Sequence, residues 1–143
     1  MPTYLLIIEA RQPTLVQIGA RGTVSLAAGY YLYVGSAKRG LTARIARHYR
    51  QVKKRHWHLD YLLSRPEFQI LEVWLSDSLP ECDLARTMLA RPEVWVLKPG
   101  LGASDCRCPA HFLVYQGNLR SLERYLPKLG LYLYVGKRVS LGM

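Results

Sequence analysis

The sequence predicts a single-domain α+β fold, a small central antiparallel sheet flanked by helices, on three observations. The chain has 143 residues, a length near the middle of the single-domain range of roughly 100–150. Half of the residues are apolar and the mean hydropathy is −0.03, which is enough to fill a core and too apolar for a disordered chain. Short strand-like runs come in local groups with helical stretches between them, which suits α+β better than a doubly wound parallel sheet. One domain is expected over 1–143, with a core over about 3–115 and a C-terminal helix and strand over 118–136.

The elements follow in order. Tyr4 to Glu9 (YLLIIE) is an apolar run of strand length, and Pro13 breaks it. Leu15–Ile18 and Thr23–Leu26 flank Gly19 and Gly22, the pattern of a hairpin. The run from Gly29 to Gly35 (GYYLYVG) is an aromatic strand closed by its glycine. The period then changes: Leu41, Ile45, Tyr49 and Val52 recur at helical spacing, with Arg44, Arg47 and Gln51 on a more polar face and His48 beside them. Trp57 to Leu63 suits a second short helix ending before Pro66. Phe68–Leu75 reads as a strand. Ser78 and Glu81 have capping-box spacing ahead of a helix through Leu84, Ala85, Met88 and Leu89. Val94–Leu97 and His111–Tyr115 are strand-like, Asn118 caps a helix through Tyr125, and Leu131–Val135 is a last strand. The run from Gly130 to Gly136 nearly repeats Gly29 to Gly35, but lacks a following arginine-bearing helix and reads as a strand of similar composition.

Composition also narrows function. No apolar run reaches the roughly 18–20 residues of a membrane span. The start MPTYLLIIEA lacks the basic region and cleavage site of a signal peptide. Three cysteines, an odd number, speak against a disulfide framework. A cytoplasmic protein with no membrane partner is expected. Charge is the informative quantity: 20 Lys and Arg face 10 Asp and Glu, a net +10. The excess is concentrated. Between Ser36 and Arg65, nine basic residues (Lys38, Arg39, Arg44, Arg47, Arg50, Lys53, Lys54, Arg55 and Arg65) meet one acid, Asp60. With His58 and interleaved Tyr49, Trp57 and Tyr61, this is the footprint of a surface that meets phosphate backbones. A solvated basic face is the plainer reading of the same charges.

The strand ending in Tyr33-Val34-Gly35, followed by a basic helix, resembles the GIY-YIG nuclease module. The first half of that motif falls on Pro2-Thr3-Tyr4, where Pro2 replaces the usual glycine, and the hairpin around Gly19–Gly22 lengthens the interval between the halves. Downstream, Leu41-Thr42-Ala43-Arg44-Ile45 resembles the helix that carries the family's essential arginine, and His48 follows one turn later. The strings HWHLDYLL (His56–Leu63) and GASDCRC (Gly102–Cys108) are similar to those of the small prokaryotic Uri-type endonucleases, a branch formerly labelled a domain of unknown function. The likeness runs from about Thr3 to Tyr115. The family's late asparagine has no clear match, with Ser104 or Asp105 as stand-ins.

The resemblance implies DNA cleavage with a Tyr/Arg/Glu site, RNA not being excluded. Glu81 would hold one divalent cation, Mg²⁺ or Mn²⁺, because a lone carboxylate with waters suits hard cations. Arg44 would clamp the non-bridging phosphate oxygens. Tyr33, assisted by Tyr4, would act as base or position the water, and its pKa near 10 would have to be lowered for that. His48, near 6.5, is the competing base. Lys38, Arg39, Arg47, Arg50, Lys53, Lys54, Arg55 and His58 would meet the nucleic acid. Each residue also has a structural reading: the tyrosines as strand aromatics, Arg44 as a solvated helix charge, Glu81 as a capping-box residue. Cys106, Cys108 and His111, with Cys82, form a second constellation whose chemistry suits tetrahedral zinc, although C-x-C is tighter than the common C-x₂-C and reduced thiols are the plainer reading. The rivals to a nuclease are a catalytically silent nucleic-acid-binding module of the same fold and a zinc-stabilised adaptor.

Overall fold

The computed structural model describes residues 2–19, 22–37, 39–50, 58–99 and 110–135, with His58 described by its backbone alone. Among these, a six-stranded sheet in the order β6-β7-β4-β1-β5-β8 forms the centre, its neighbours all antiparallel. Its strands are β1 (Thr3–Ala10), β4 (Gly29–Ser36), β5 (Phe68–Ser76), β6 (Val94–Val96), β7 (Phe112–Tyr115) and β8 (Tyr132–Leu133). The hairpin β2 (Thr14–Gln17) and β3 (Thr23–Leu26) forms a separate two-stranded sheet between β1 and β4. The helices are α1 (Leu41–Tyr49), α2 (His58–Leu63), α3 (Glu81–Leu89) and α4 (Leu119–Tyr125). The α+β reading of the sequence holds.

β1 is central, paired with β4 on one side and β5 on the other, and is apolar along its length because both of its faces are covered. Alternation sorts its side chains. Tyr4, Leu6 and Ile8 pack with Tyr31, Tyr33, Phe112, Ile45 of α1, Leu59 and Leu62 of α2, and Val16 and Val24 of the hairpin. Leu5 and Ile7 pack on the other face with Leu32, Val34 and Leu113, under Leu84 and Met88 of α3 and Leu122 of α4. Two helical layers thus sandwich the sheet, α1 and α2 on one face and α3 and α4 on the other.

Several local expectations are revised. Tyr49 does not join the buried stripe of α1; it is 40% exposed, and the buried residues of that helix are Ile45 and His48. The capping box does not form: Pro80 is the N-cap of α3 with no side-chain bond, and Ser76 Oγ instead accepts from the Ser78 and Leu79 N–H groups. The last strand is only Tyr132–Leu133, half-exposed on the sheet edge. Asn118 does cap α4, its side chain accepting from Arg120 and Ser121. Among the described residues, no helix is long and apolar enough to cross a membrane.

Candidate active site

Strand register gathers the site at one end of the sheet. Tyr4 lies opposite Gly35, and Thr3 opposite both Ser36 of β4 and Ser76 of β5. β7 begins there too, with Phe112 opposite Tyr33. Helix α1 covers one face of this end and the first turn of α3 the other, so side chains from both layers meet around the end of β4.

Tyr4 is fully buried and its hydroxyl stands 2.8 Å from Nε2 of His48, itself 1% exposed. The Tyr33 ring centroid lies 6.2 Å from that of Tyr4 and 5.8 Å, edge-on, from that of His48. Gly35 makes the arrangement possible. A methyl there would stand 2.6 Å from Tyr4 Cζ and Oη and 3.0 Å from Tyr33 Cε2. Pro2 fits ahead of the strand, where no ladder donor is required, and its carbonyl accepts from the Ala37 N–H at 3.2 Å.

Arg44 extends from α1 to donate from Nη1 to the Ser36 carbonyl at 2.9 Å, and it also bonds the Tyr4 hydroxyl. Ser36 turns its side chain to the opposite layer and donates from Oγ to Glu81 Oε1 at 2.5 Å. The other oxygen of that carboxylate, Oε2, lies 2.8 Å from Nδ1 of His111, which is 1% exposed. Nε2 of His111 faces Cys82 Sγ at 3.7 Å. A continuous polar chain therefore runs from His48 through Tyr4, Arg44, Ser36 and Glu81 to His111.

Electrostatics divide this chain. Burial pushes the Tyr4 phenol up to about 12, against a hydrogen bond from Arg44 and its positive charge. Burial pushes Tyr33 higher still, with Tyr4 and Glu81 adding to it and Arg44 only partly opposing. The lowering that a tyrosine base requires is thus reversed by the burial of the rings. Burial also works to raise Glu81, but the close His111 ring and the Ser36 hydrogen bond, with the positive charge of Arg44, outweigh it and hold the carboxyl below the usual range. Glu81 is an ionised, hard oxygen donor whose side chain keeps 31% of its surface open. That fits a divalent cation completed by water. Among the described residues there is no group of three or more His, Cys, Asp and Glu able to hold a metal.

The remaining predicted contacts scatter. Arg39 and Arg50 are exposed next to α1. Arg47 is instead committed to a two-pronged ion pair with the fully buried Asp60, at 2.8 and 3.0 Å, clamping α1 to α2. Lys38, Lys53, Lys54, Arg55, His56, Trp57, the His58 side chain, Ser104, Asp105, Cys106 and Cys108 lie outside the described residues.

Sequence reasoning missed Ser36, although it directly follows the Tyr33-Val34-Gly35 signature, and it weighed His111 only as one of four possible zinc ligands, with no link to Glu81. Residues 3–131 match the family model described as Domain of unknown function DUF123. The chain belongs to that family. The DUF123 match spans every site residue from Tyr4 to His111 and ends just before β8. No curated protein and no solved structure matches the chain.

Proposed function

We propose that this DUF123 protein is a metal-dependent endonuclease of GIY-YIG type that hydrolyses phosphodiester bonds of DNA. The observation that carries the reading is the convergence of Tyr4, Tyr33, Arg44, His48 and Glu81, from β1, β4, α1 and α3, at one end of the sheet. Their order along the chain resembles that of the nuclease module, and the basic run after Ser36 supplies the field that draws a phosphate backbone towards it.

Glu81 would hold Mg²⁺ or Mn²⁺, with Ser36 hydrogen-bonded to one of its oxygens and the His111 ring close to the other. When bound, the cation supplies Lewis-acid neutralisation of the phosphate and of the leaving 3′-oxygen. Arg44, already anchored on the Ser36 carbonyl, presents the rest of its planar guanidinium to the non-bridging oxygens. A phenol at about pKa 12 is not a phenolate at neutral pH. The attacking water therefore gives its proton to Tyr4 Oη as Tyr4 passes its own to His48 Nε2, 2.8 Å away. His48 ends the step as the proton holder, its Nε2 already facing the Tyr4 hydroxyl. Tyr33 packs against both rings and keeps the pair in register.

The test is a cleavage assay on labelled single-stranded, duplex, flap and junction DNA and on RNA, with Mg²⁺, Mn²⁺ or EDTA. Metal-dependent cutting that Arg44→Ala and Glu81→Gln each abolish, with unchanged circular dichroism, is the expected result. Cutting by either variant at the wild-type rate would sink the assignment. Salt-sensitive binding without any cutting would instead make the protein a silent nucleic-acid-binding module.

A further inference from the structure

We infer that His111 is the positioning residue of the Glu81 carboxylate, an inference that rests on the metal-binding role given to Glu81 above. His111 lies just before β7, where its backbone carbonyl accepts from Val34 N–H at 3.0 Å, so its main chain is tied to β4 at the level of the site. Its ring is 1% exposed and reaches Glu81 Oε2 with Nδ1 at 2.8 Å. Cys82, the neighbour of Glu81 on α3, stands 3.7 Å from the other ring nitrogen. The imidazole therefore lies between two consecutive residues of the helix start, Nδ1 near Glu81 and Nε2 near Cys82.

This geometry does for Glu81 what Ser36 does from the other side. A carboxylate at the first position of a helix has free rotation about its side-chain bonds unless both oxygens are held. Ser36 Oγ donates to Oε1, and His111 Nδ1 stands 2.8 Å from Oε2 as an ion-pair contact. The two donors come from β4 and from the residue before β7, neighbouring strands of the rigid sheet. The carboxylate, 31% exposed, keeps part of its surface open to a cation. Partners that orient a metal ligand in this way commonly change metal affinity by about 10–100-fold when removed.

Two substitutions separate orientation from mere space-filling. An asparagine amide nitrogen falls where imidazole Nδ1 stands, whereas a glutamine amide nitrogen falls where Nε2 stands. His111→Asn therefore keeps a donor for Glu81, and His111→Gln moves it to the Cys82 side. Mn²⁺ uptake by each purified protein is measured by calorimetry, alongside its thermal melt and that of Glu81→Gln. The expected result is Mn²⁺ binding by wild type, affinity within about threefold for His111→Asn, and a loss of at least about tenfold for His111→Gln. Equal affinity of His111→Gln and wild type, with binding lost in Glu81→Gln, would overturn the role of His111 alone. Wild-type-like binding by Glu81→Gln, or none by wild type, would overturn the metal role of Glu81 and this inference together. A loss in His111→Asn as large as in His111→Gln would show that the ring fills space rather than aims a donor, and would also overturn it.

Discussion

Gly35→Ala is the substitution whose consequence can be worked furthest. The backbone at Gly35 lies in a regular antiparallel ladder with Tyr4 opposite, and it is not among the glycines with positive φ. Alanine is therefore conformationally allowed, and by backbone entropy alone it would stabilise the strand by roughly 0.5–1 kcal/mol. The new methyl decides otherwise. It would stand 2.6 Å from Tyr4 Cζ and Oη, where ordinary contact begins at 3.4 Å, so the ring must move by about 0.8 Å. Tyr4 is fully buried, hemmed in by Tyr33 and His48, and its 2.8 Å bond to His48 tolerates only a few tenths of an ångström. Overpacking of this kind costs about 1–3 kcal/mol, and with no route of escape the upper part of that range applies. The net loss is about 1–2 kcal/mol, read as a fall of about 3–8 °C in Tm for a domain of this size. Thermal and urea unfolding by circular dichroism measure it, and the double variant Gly35→Ala/Tyr4→Leu should recover most of the loss through their coupling. A Gly35→Ala protein as stable as wild type, or more so, would refute the claim that Tyr4 is held rigidly across the strand.

Three further outcomes are expected. Arg47→Ala should destabilise by about 3 kcal/mol, and Asp60→Asn by less, because the first leaves a carboxylate with no exposed surface without its guanidinium whereas Arg47 is 22% exposed and can turn to water; denaturant midpoints check the order, and equal losses would contradict it. The Tyr4 phenol is raised by burial from 10.0 to about 12, so its contribution to stability is complete below pH 10 and drains away as pH rises towards 12; Tyr4→Phe should flatten that alkaline limb in urea titrations at stepped pH, and an unaltered limb would place the phenol in water. Replacing Lys53 and Lys54 by alanine should weaken DNA binding across all sequences and lower the salt slope by about one per lost phosphate contact; fluorescence anisotropy at low and high salt reads this, and unchanged affinity at both would remove the basic run from the docking surface.

What the sequence disclosed follows from which interactions are local. β1 was legible because it is covered on both faces and so is apolar at almost every position, and the hairpin because Gly19 and Gly22 sit between two alternating runs. The N-cap at Asn118 was legible because a cap bonds only two and three residues ahead. His48 was read from its residue type as lying beside the polar face of α1, although it stands three residues after Ile45 and seven after Leu41; Tyr4, 44 residues earlier, supplies a partner for the buried ring. Ser78 with Glu81 has the spacing of a capping box, yet the glutamate carboxylate is drawn off by Ser36 and His111, neither of which is near it in the chain. Strand register, not local spacing, brings these groups together, and a single sequence does not print register.

The same register gives Tyr4 and Tyr33 different surroundings. Both sit on the α1 face of the sheet, two residues apart in register, and burial raises both. Only Tyr4 has its hydroxyl on His48 and a bond from Arg44. A buried phenol that cannot ionise is a poor base by itself, but one hydrogen-bonded to an imidazole can pass a proton without ever holding a charge. On the proposed reading, base chemistry would reside in the Tyr4–His48 pair, an aromatic strand residue hydrogen-bonded to a buried helix histidine. Tyr33, more deeply shifted and edge-on to the same imidazole, packs beside the pair. On this account Tyr33→Phe should retain far more activity than Tyr4→Phe or His48→Ala. A greater loss in Tyr33→Phe would return the base to β4.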